Sequence, residues 1–168
     1  MVHEISLINT EIEVAKLIAQ KRIETNRSAN IINTPYAGYP QEKLDEHAAG
    51  AELAFCKFMN LYPDLTTHIR SGGPDCIYNG ARFDVKNTRH ANGWLVVKAC
   101  KNINDCDAYV LVTGMLPDYK IVGYMKSIDV FDQKYRHIHH WIHTDQKLDD
   151  PSYAIPQVKL TAFDIKIR

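Results

Sequence analysis

Asn79-Gly80 constrains this chain more than any other pair of residues. Both tolerate a positive φ, which the two-residue type I′ turn of a tight antiparallel hairpin requires. Counting outward sets Tyr78 against Ala81, Ile77 against Arg82, Cys76 against Phe83 and Asp75 against Asp84. Directly opposed residues hold their Cβ atoms roughly 5 Å apart, so two carboxylates there repel unless something offsets them. A divalent cation does so, because magnesium selects hard oxygen ligands. A proton shared by the two acids also does so, by raising one pKa. Side chains alternate along a strand, so Lys86 joins Asp84 on one face while Phe83 and Val85 point to the other. Acids and an ammonium then share one face, with core hydrophobes opposite. That combination suits metal-dependent hydrolysis.

The surroundings extend the pattern. A helix is expected over residues 41–61, with Leu44, Ala48, Ala51, Phe55, Phe58 and Tyr62 in one arc facing a sheet. Glu52 lies at the margin of that arc, within reach of the hairpin; Asp45 is a weaker candidate on the same line, and Glu46 faces water. Pro63 ends this helix, a first strand follows over 66–70, and Gly72-Gly73 frees the backbone for close approach to a ligand.

Pro74-Asp75 followed by Asp84-Val85-Lys86, with Glu52 on an upstream helix, resembles the PD-(D/E)XK nuclease superfamily over roughly residues 41–126. The resemblance implies an α/β, restriction-endonuclease-like fold: a central mixed β-sheet flanked by helices (αβββαβ core), here with an extra N-terminal helix. It implies an endonuclease that hydrolyses DNA phosphodiester bonds with low or structure-based specificity. Glu52, Asp75, Asp84 and Lys86 would be catalytic. Mg²⁺, or Mn²⁺ in its place, would be held by Glu52, Asp75, Asp84 and the Val85 carbonyl. This chain carries Asp where the triplet commonly begins with Glu, so the shorter arm must sit nearer the metal.

Arg70, Arg82, Arg89, His90, Lys98 and Lys101 are candidate contacts to phosphates of DNA, or of RNA; ordinary surface charge is an equally open reading of any single one. A homodimer would suit cleavage of both strands. Two other classes compete: a nucleic-acid-binding protein that keeps the fold with little activity, and a structural protein with a coincidental motif.

Bulk properties narrow the field. A length of 168 residues suits one domain with a real core. A composition of 45% hydrophobic and 24% charged residues argues against wholesale disorder. A formal net charge of zero argues against a histone-like coating protein. Cys56, Cys76, Cys100 and Cys106 lack C-x-x-C spacing and read as reduced residues, mostly of the core. No apolar run resembles a signal peptide or spans a bilayer, so a cytoplasmic protein without membrane contact is expected; a small stand-alone enzyme of the kind the resemblance implies would suit a bacterium or a phage.

The remaining chain fills in the frame. Residues 1–40 are expected as an N-terminal helix and connecting loop, and 41–168 as the nuclease-like domain. Thr10 is the expected helix cap, with Glu13 completing a capping box. The stripe of Ile12, Ala15, Ala19 and Ile23, widened by Val14, Leu17 and Ile18, packs on the core or a second subunit. Lys21, Arg22 and Arg27 at its tail are alternative phosphate contacts. Residues 94–97 read as a short strand or the lead of a helix. Residues 107–114 read as a buried central strand, 120–125 as an antiparallel neighbour, and Ser127 as the cap of a brief helix through Tyr135. His139 and His143 stand at i, i+4 beside His137 and His140, a spacing able to hold zinc on a helix. No third ligand accompanies them, which favours a helix or strand near a nucleic acid or a dimer seam. Residues 153–168 end the chain as one strand and a short helix.

Overall fold

The computed structural model describes residues 2–29, 39–67, 73–137, 141–143, 146–147 and 151–164. In chain order these form β1 (His3–Ser6), α1 (Asn9–Ser28), α2 (Gln41–Met59), β2 (Cys76–Tyr78), β3 (Ala81–Thr88) and β4 (Leu95–Lys98). There follow β5 (Ala108–Met115), β6 (Asp118–Lys126), the short helix α3 (Ser127–Val130), β7 (Arg136–His137), β8 (Trp141–His143), β9 (Gln146–Lys147) and β10 (Ser152–Ile155). The principal sheet has five strands in the order β1-β6-β5-β3-β2, with β3 and β5 parallel and the other neighbours antiparallel. The architecture is a mixed α/β sheet flanked by helices.

The β2–β3 hairpin has the expected turn, with φ of 49° at Asn79 and 80° at Gly80, and the expected register down to Cys76 opposite Phe83. β5 is buried through residues 108–113 because both of its faces are covered. Val110 and Val112 pack with Phe55, Phe83 and Val85 beneath α2. Tyr109 and Leu111 meet Leu95, Val97, Tyr153 and Ile155, contributed by the small sheet β4-β10-β7. Phe55, Phe58, Phe83 and Phe163 stack in a chain of tilted and edge contacts with centroids 5.4–6.4 Å apart. Such pairs are worth roughly 0.5–1.5 kcal/mol each beyond area burial. They fix α2 over the hairpin strand.

Several expectations are corrected. Residues 3–6, unreadable alone, form an edge strand on β6, and the N–H of Leu7 donates to Pro117 O at 3.0 Å. The N-terminal segment therefore shares the main core. α1 begins at Asn9 rather than Glu11: Glu11, not Glu13, accepts the N–H of Ile8 at 2.8 Å, and Thr10 lies inside the helix. Within α1, Ala15, Ile18 and Ala19 are buried but Leu17 is exposed.

α2 ends at Met59 on a left-handed Asn60, before Pro63 is reached. It is buried nearly all round because α1 packs on its outer side, whereas Tyr62 lies beyond it and is 83% exposed. Glu46 is half-buried on Lys43 rather than facing water. Residues 66–67 are not strand; the Thr66 N–H bonds Asp64 Oδ1 at 2.8 Å in a local turn, and 68–70 fall outside the described residues. The connection from β3 to β5 carries β4 and turns, without a helix. Ser127 does not cap α3; its hydroxyl donates to the buried Cys106 carbonyl at 2.6 Å.

Residues 141–143 are strand, so the helical zinc spacing does not form there, and His139 and His140 lie outside the described residues. The free cysteines Cys56, Cys76 and Cys106 are buried, and Cys100 is exposed. Among the described residues no helix is long and apolar enough to cross a membrane.

Candidate functional site

The hairpin holds the first acid by its backbone. Asp75 precedes β2, and its N–H donates to Phe83 O at 2.8 Å. Since β2 begins only at Cys76, the N–H of Val85 has no strand opposite it, and Asp75 Oδ2 accepts that proton at 2.6 Å. The side chain thus completes an edge that the strand leaves open. Burial pushes the Asp75 carboxyl well above the usual carboxylate range, and the charges of Glu52 and Asp84 push it further. The Lys86 ammonium and the Val85 N–H pull the other way without prevailing. Burial and the neighbouring carboxylates thus favour the protonated form of Asp75.

Asp84 is 3% exposed on the opposite face from Phe83 and Val85, which join the helix-side core. Lys86 Nζ donates to Asp84 Oδ1, and Lys101 Nζ stands 3.6 Å from Oδ2. Lys86 also lies 5.7 Å from the centroid of the Tyr109 ring, a cation–π contact. Burial alone would depress the Lys86 pKa, the direction a general base requires. Asp84 and Asp75 outweigh burial and raise it, so Lys86 is a firm ammonium.

Glu52 comes from the flank of α2, and its carboxylate is already taken. Arg22 of α1 donates from Nη1 to Oε1 at 2.8 Å and from Nη2 to Oε2 at 2.7 Å, a bidentate fork. The two side chains are 30% and 17% exposed, so water screens the pair only partly. Burial opposes the charge on Arg22, but Glu52, then Asp75 and Asp64, hold its pKa up. In the sequence Arg22 is only one cation among three on a helix tail. Its position was a signal: Ala15, Ile18, Ala19, Arg22 and Asn26 follow the spacing of one helix face, and all but Arg22 are buried. A charge on a buried stripe requires a partner.

The proposed phosphate contacts are dispersed. Lys101 is drawn to Asp84. Arg82 is engaged by Asp107, with Nε and Nη2 donating at 3.2 and 3.1 Å. Arg89 lies over the Tyr39 ring at 4.8 Å, just past the far end of β3, roughly 16 Å along the strand from Asp84 at strand rise. His90 follows it, its N–H donating to Thr88 Oγ1 at 3.3 Å. Lys98 is exposed at the end of β4, and Arg70 lies outside the described residues.

Among the described residues, no group of three or more His, Cys, Asp or Glu side chains is arranged to hold a metal ion. The donors nevertheless fit Mg²⁺ in kind, as carboxylate oxygens and a backbone carbonyl. The Val85 carbonyl shares the open edge with its N–H, because a residue's two backbone groups point to the same neighbour in an antiparallel ladder. The carboxylates are turned toward cations instead: Arg22 on Glu52, Lys86 and Lys101 on Asp84.

No protein-family model, curated protein or solved structure matches this chain. Fold and site together define a mixed α/β protein with acids and ammonium groups gathered at an edge hairpin.

Proposed function

We propose that this chain is a metal-dependent nuclease of restriction-endonuclease-like architecture that hydrolyses phosphodiester bonds of DNA. One observation supports the reading: Asp75 Oδ2 accepts the Val85 N–H at 2.6 Å while the adjacent, buried Asp84 is engaged by Lys86 and Lys101, so two acids and two ammonium groups gather at one end of the hairpin. Carboxylates crowded in this way favour either a proton or a doubly charged ion.

Asp75, Asp84, the Val85 carbonyl and Glu52 would hold Mg²⁺, with Mn²⁺ as substitute. Once bound, the ion supplies a water of lowered pKa and positive charge facing the phosphorane. The raised pKa of Asp75 would oppose its ionisation there, and Glu52 would have to leave Arg22. Lys86, which has donors and no acceptor, directs its N–H groups to the attacking oxygen and offsets charge developing on the phosphoryl group. It does not remove a proton. Lys101 adds a second cation beside Asp84. The chain would act in the cytoplasm, as a homodimer where both strands of a duplex are cut, and without sequence-reading contacts.

The match of each ionised acid with a cation favours a second reading, a nucleic-acid-binding protein with little activity. Supercoiled plasmid, linear duplex, single strands and RNA incubated with Mg²⁺, Mn²⁺ or EDTA separate the two. Metal-dependent cleavage that disappears in Asp84→Ala and Lys86→Ala supports the nuclease. Binding that survives EDTA without cleavage supports the alternative, and neither result leaves only a structural role. Because β1 and α1 belong to the core, the dimer is tested by sizing the full chain.

A further inference from the structure

We propose that the cleft at the end of β6 is a second site, which takes one nucleotide unit without a metal ion. The phosphate lies among Lys126, Lys159 and Thr161, and the base lies against Tyr124 and Tyr135. The inference goes beyond the nuclease reading and does not depend on it.

The cleft is built from the end of β6, α3 and the 3₁₀ turns Gln133–Tyr135 and Gln157–Lys159, and its volume is about 280 Å³. Small-molecule pockets commonly run to roughly 300–1,000 Å³, so this one suits a single nucleotide rather than a dinucleotide. Its two rings are anchored in different cores. Tyr124 packs on the core beneath α2, its centroid 4.8 Å from that of Phe163, and Tyr135 packs on the core of the small sheet. Rings fixed in this way lose little freedom when a base stacks on them. Gly123 lets the wall close: a Cβ there would meet Thr161 O at 2.7 Å. Thr161 is in turn joined to Tyr124 by two backbone hydrogen bonds of 2.9 Å.

Charge identifies the ligand. Elsewhere the lysines of this surface are largely taken by acids, as Lys120 is by Glu4, and in the cleft itself Lys134 is held by Asp132 at 2.6 Å. Among the described residues Lys126 and Lys159 meet no carboxylate within 4.0 Å, and both are exposed at the rim. In a chain of zero net charge this is a local positive excess, which an anion offsets. Lysine serves phosphate as a point charge, and Thr161 adds a hydroxyl donor. Asp129 is the one acid of the lining and supplies an acceptor suited to a sugar hydroxyl. Ring, sugar acceptor and cations together match a nucleotide better than a bare phosphate.

Register ties the cleft to the hairpin. Asp84 pairs with Tyr109, and Tyr109 with Met125 of the cleft, so two ladder spacings, roughly 10 Å, separate Met125 from Asp84. A nucleic-acid strand crossing this end of the sheet reaches both.

Calorimetry on the full chain in EDTA, with adenosine 5′-monophosphate, inorganic phosphate and a short single-stranded oligonucleotide as probes, tests the site. The mononucleotide should bind at least about tenfold more tightly than phosphate, and Lys126→Ala and Lys159→Ala should each weaken it by about tenfold. Tyr135→Leu should weaken the mononucleotide and leave phosphate unchanged. Binding of the mononucleotide alone assigns the cleft to a free nucleotide. Binding of the oligonucleotide as well, with a salt slope that shrinks by about 0.7 in each lysine variant, assigns it to a strand. Lys16→Ala removes an exposed charge from α1 and should change nothing. An equal loss in Lys16→Ala shows diffuse attraction and overturns the assignment, as does a wild type that binds phosphate as tightly as the mononucleotide, or binds neither. Metal-dependent plasmid cleavage without nucleotide binding in EDTA strikes the cleft alone. Nucleotide binding without cleavage in any metal leaves the cleft and strikes the nuclease reading.

Discussion

Two carboxylate–cation pairs in this site are built by different means. Lys86 and Asp84 lie two residues apart on β3, on one face of one strand, so the pleat alone sets them side by side. Arg22 and Glu52 are separated by thirty residues and sit on different helices, so only the packing of α1 against α2 brings them together. The strand pair survives as long as the hairpin does. The helix pair depends on every contact that sets the height and rotation of α2. An acid of the first kind can be changed with little consequence elsewhere; an acid of the second kind is tied to the core.

The widest separation between the two pairs is expected in catalysis. Asp84→Ala or Lys86→Ala should lower metal-dependent cleavage by about 10²–10³-fold, as loss of a group that meets developing charge does. Arg22→Met should lower it by no more than about tenfold, since Arg22 acts on the site only through the placement of Glu52. Single-turnover cleavage of a labelled duplex measures both. Equal losses would erase the distinction between the pairs.

Packing comes next. A Cβ at Gly50 in α2 would collide with the Tyr119 hydroxyl, which donates to His47 O at 2.9 Å. Gly50→Ala should cost about 2–3 kcal/mol and displace Glu52 along with its helix. Gly80 in the hairpin turn has open space around its missing side chain but a φ of 80°, so Gly80→Ala should cost only about 1 kcal/mol, from backbone strain alone. Urea unfolding of the two variants compares them directly. A Gly80→Ala cost as large as that of Gly50→Ala would mean that the hairpin also leans on the core.

A double-mutant cycle on Arg22→Met and Glu52→Gln should return a coupling of about 1–2 kcal/mol in stability, between the values for exposed and for fully buried pairs. A coupling near zero would make the helix pair incidental to the fold.

The smallest effect is one of pH. The Asp75 pKa is raised in the folded chain, so the native state holds that proton more tightly than the unfolded state. Stability contributed by this residue is therefore present at low pH and declines as pH rises from the ordinary carboxylate range through the folded pKa. Asp75→Asn should remove that decline and gain about 1 kcal/mol at neutral pH. Chemical unfolding across pH 4–8 checks the sign. Mn²⁺ binding to the wild type, followed in buffers of different ionisation enthalpy, should also release a proton that Asp75→Asn does not.

Much of this frame was open to inspection in the chain itself. Asn79-Gly80 specified a turn, and with it the pairing of Tyr78, Ile77 and Cys76 with Ala81, Arg82 and Phe83, because register in a two-residue hairpin follows by counting. The expected pairing of Asp75 with Asp84 is not part of that ladder, since the Asp75 N–H turns to Phe83 O. The apolar run 107–114 identified the central strand β5, because only a strand covered on both faces is uniformly apolar. Residues 3–6 carried too few side chains to show a period, and their partner strand lies more than a hundred residues away. The stripe assigned to α2 holds at Ala51, Phe55 and Phe58 but is incomplete, because a second helix covers its back, which amphipathic reasoning about a single segment does not foresee. The Lys86 pKa could have moved in either direction. Burial and two neighbouring carboxylates act in opposition there, and their balance depends on distances in three dimensions.

What the residues alone determined is the short-range part: the turn, the alternation that puts Asp84 and Lys86 on one face, and the identity of the buried strand. These rest on φ preferences and on periods of two and 3.6, which every chain obeys locally. Only the tertiary structure decided that Glu52 answers to Arg22, that Lys101 reaches Asp84, and that burial raises the Asp75 pKa. Each of those joins groups from distant segments, and electrostatic energy depends on separation in space and on the water that burial removes.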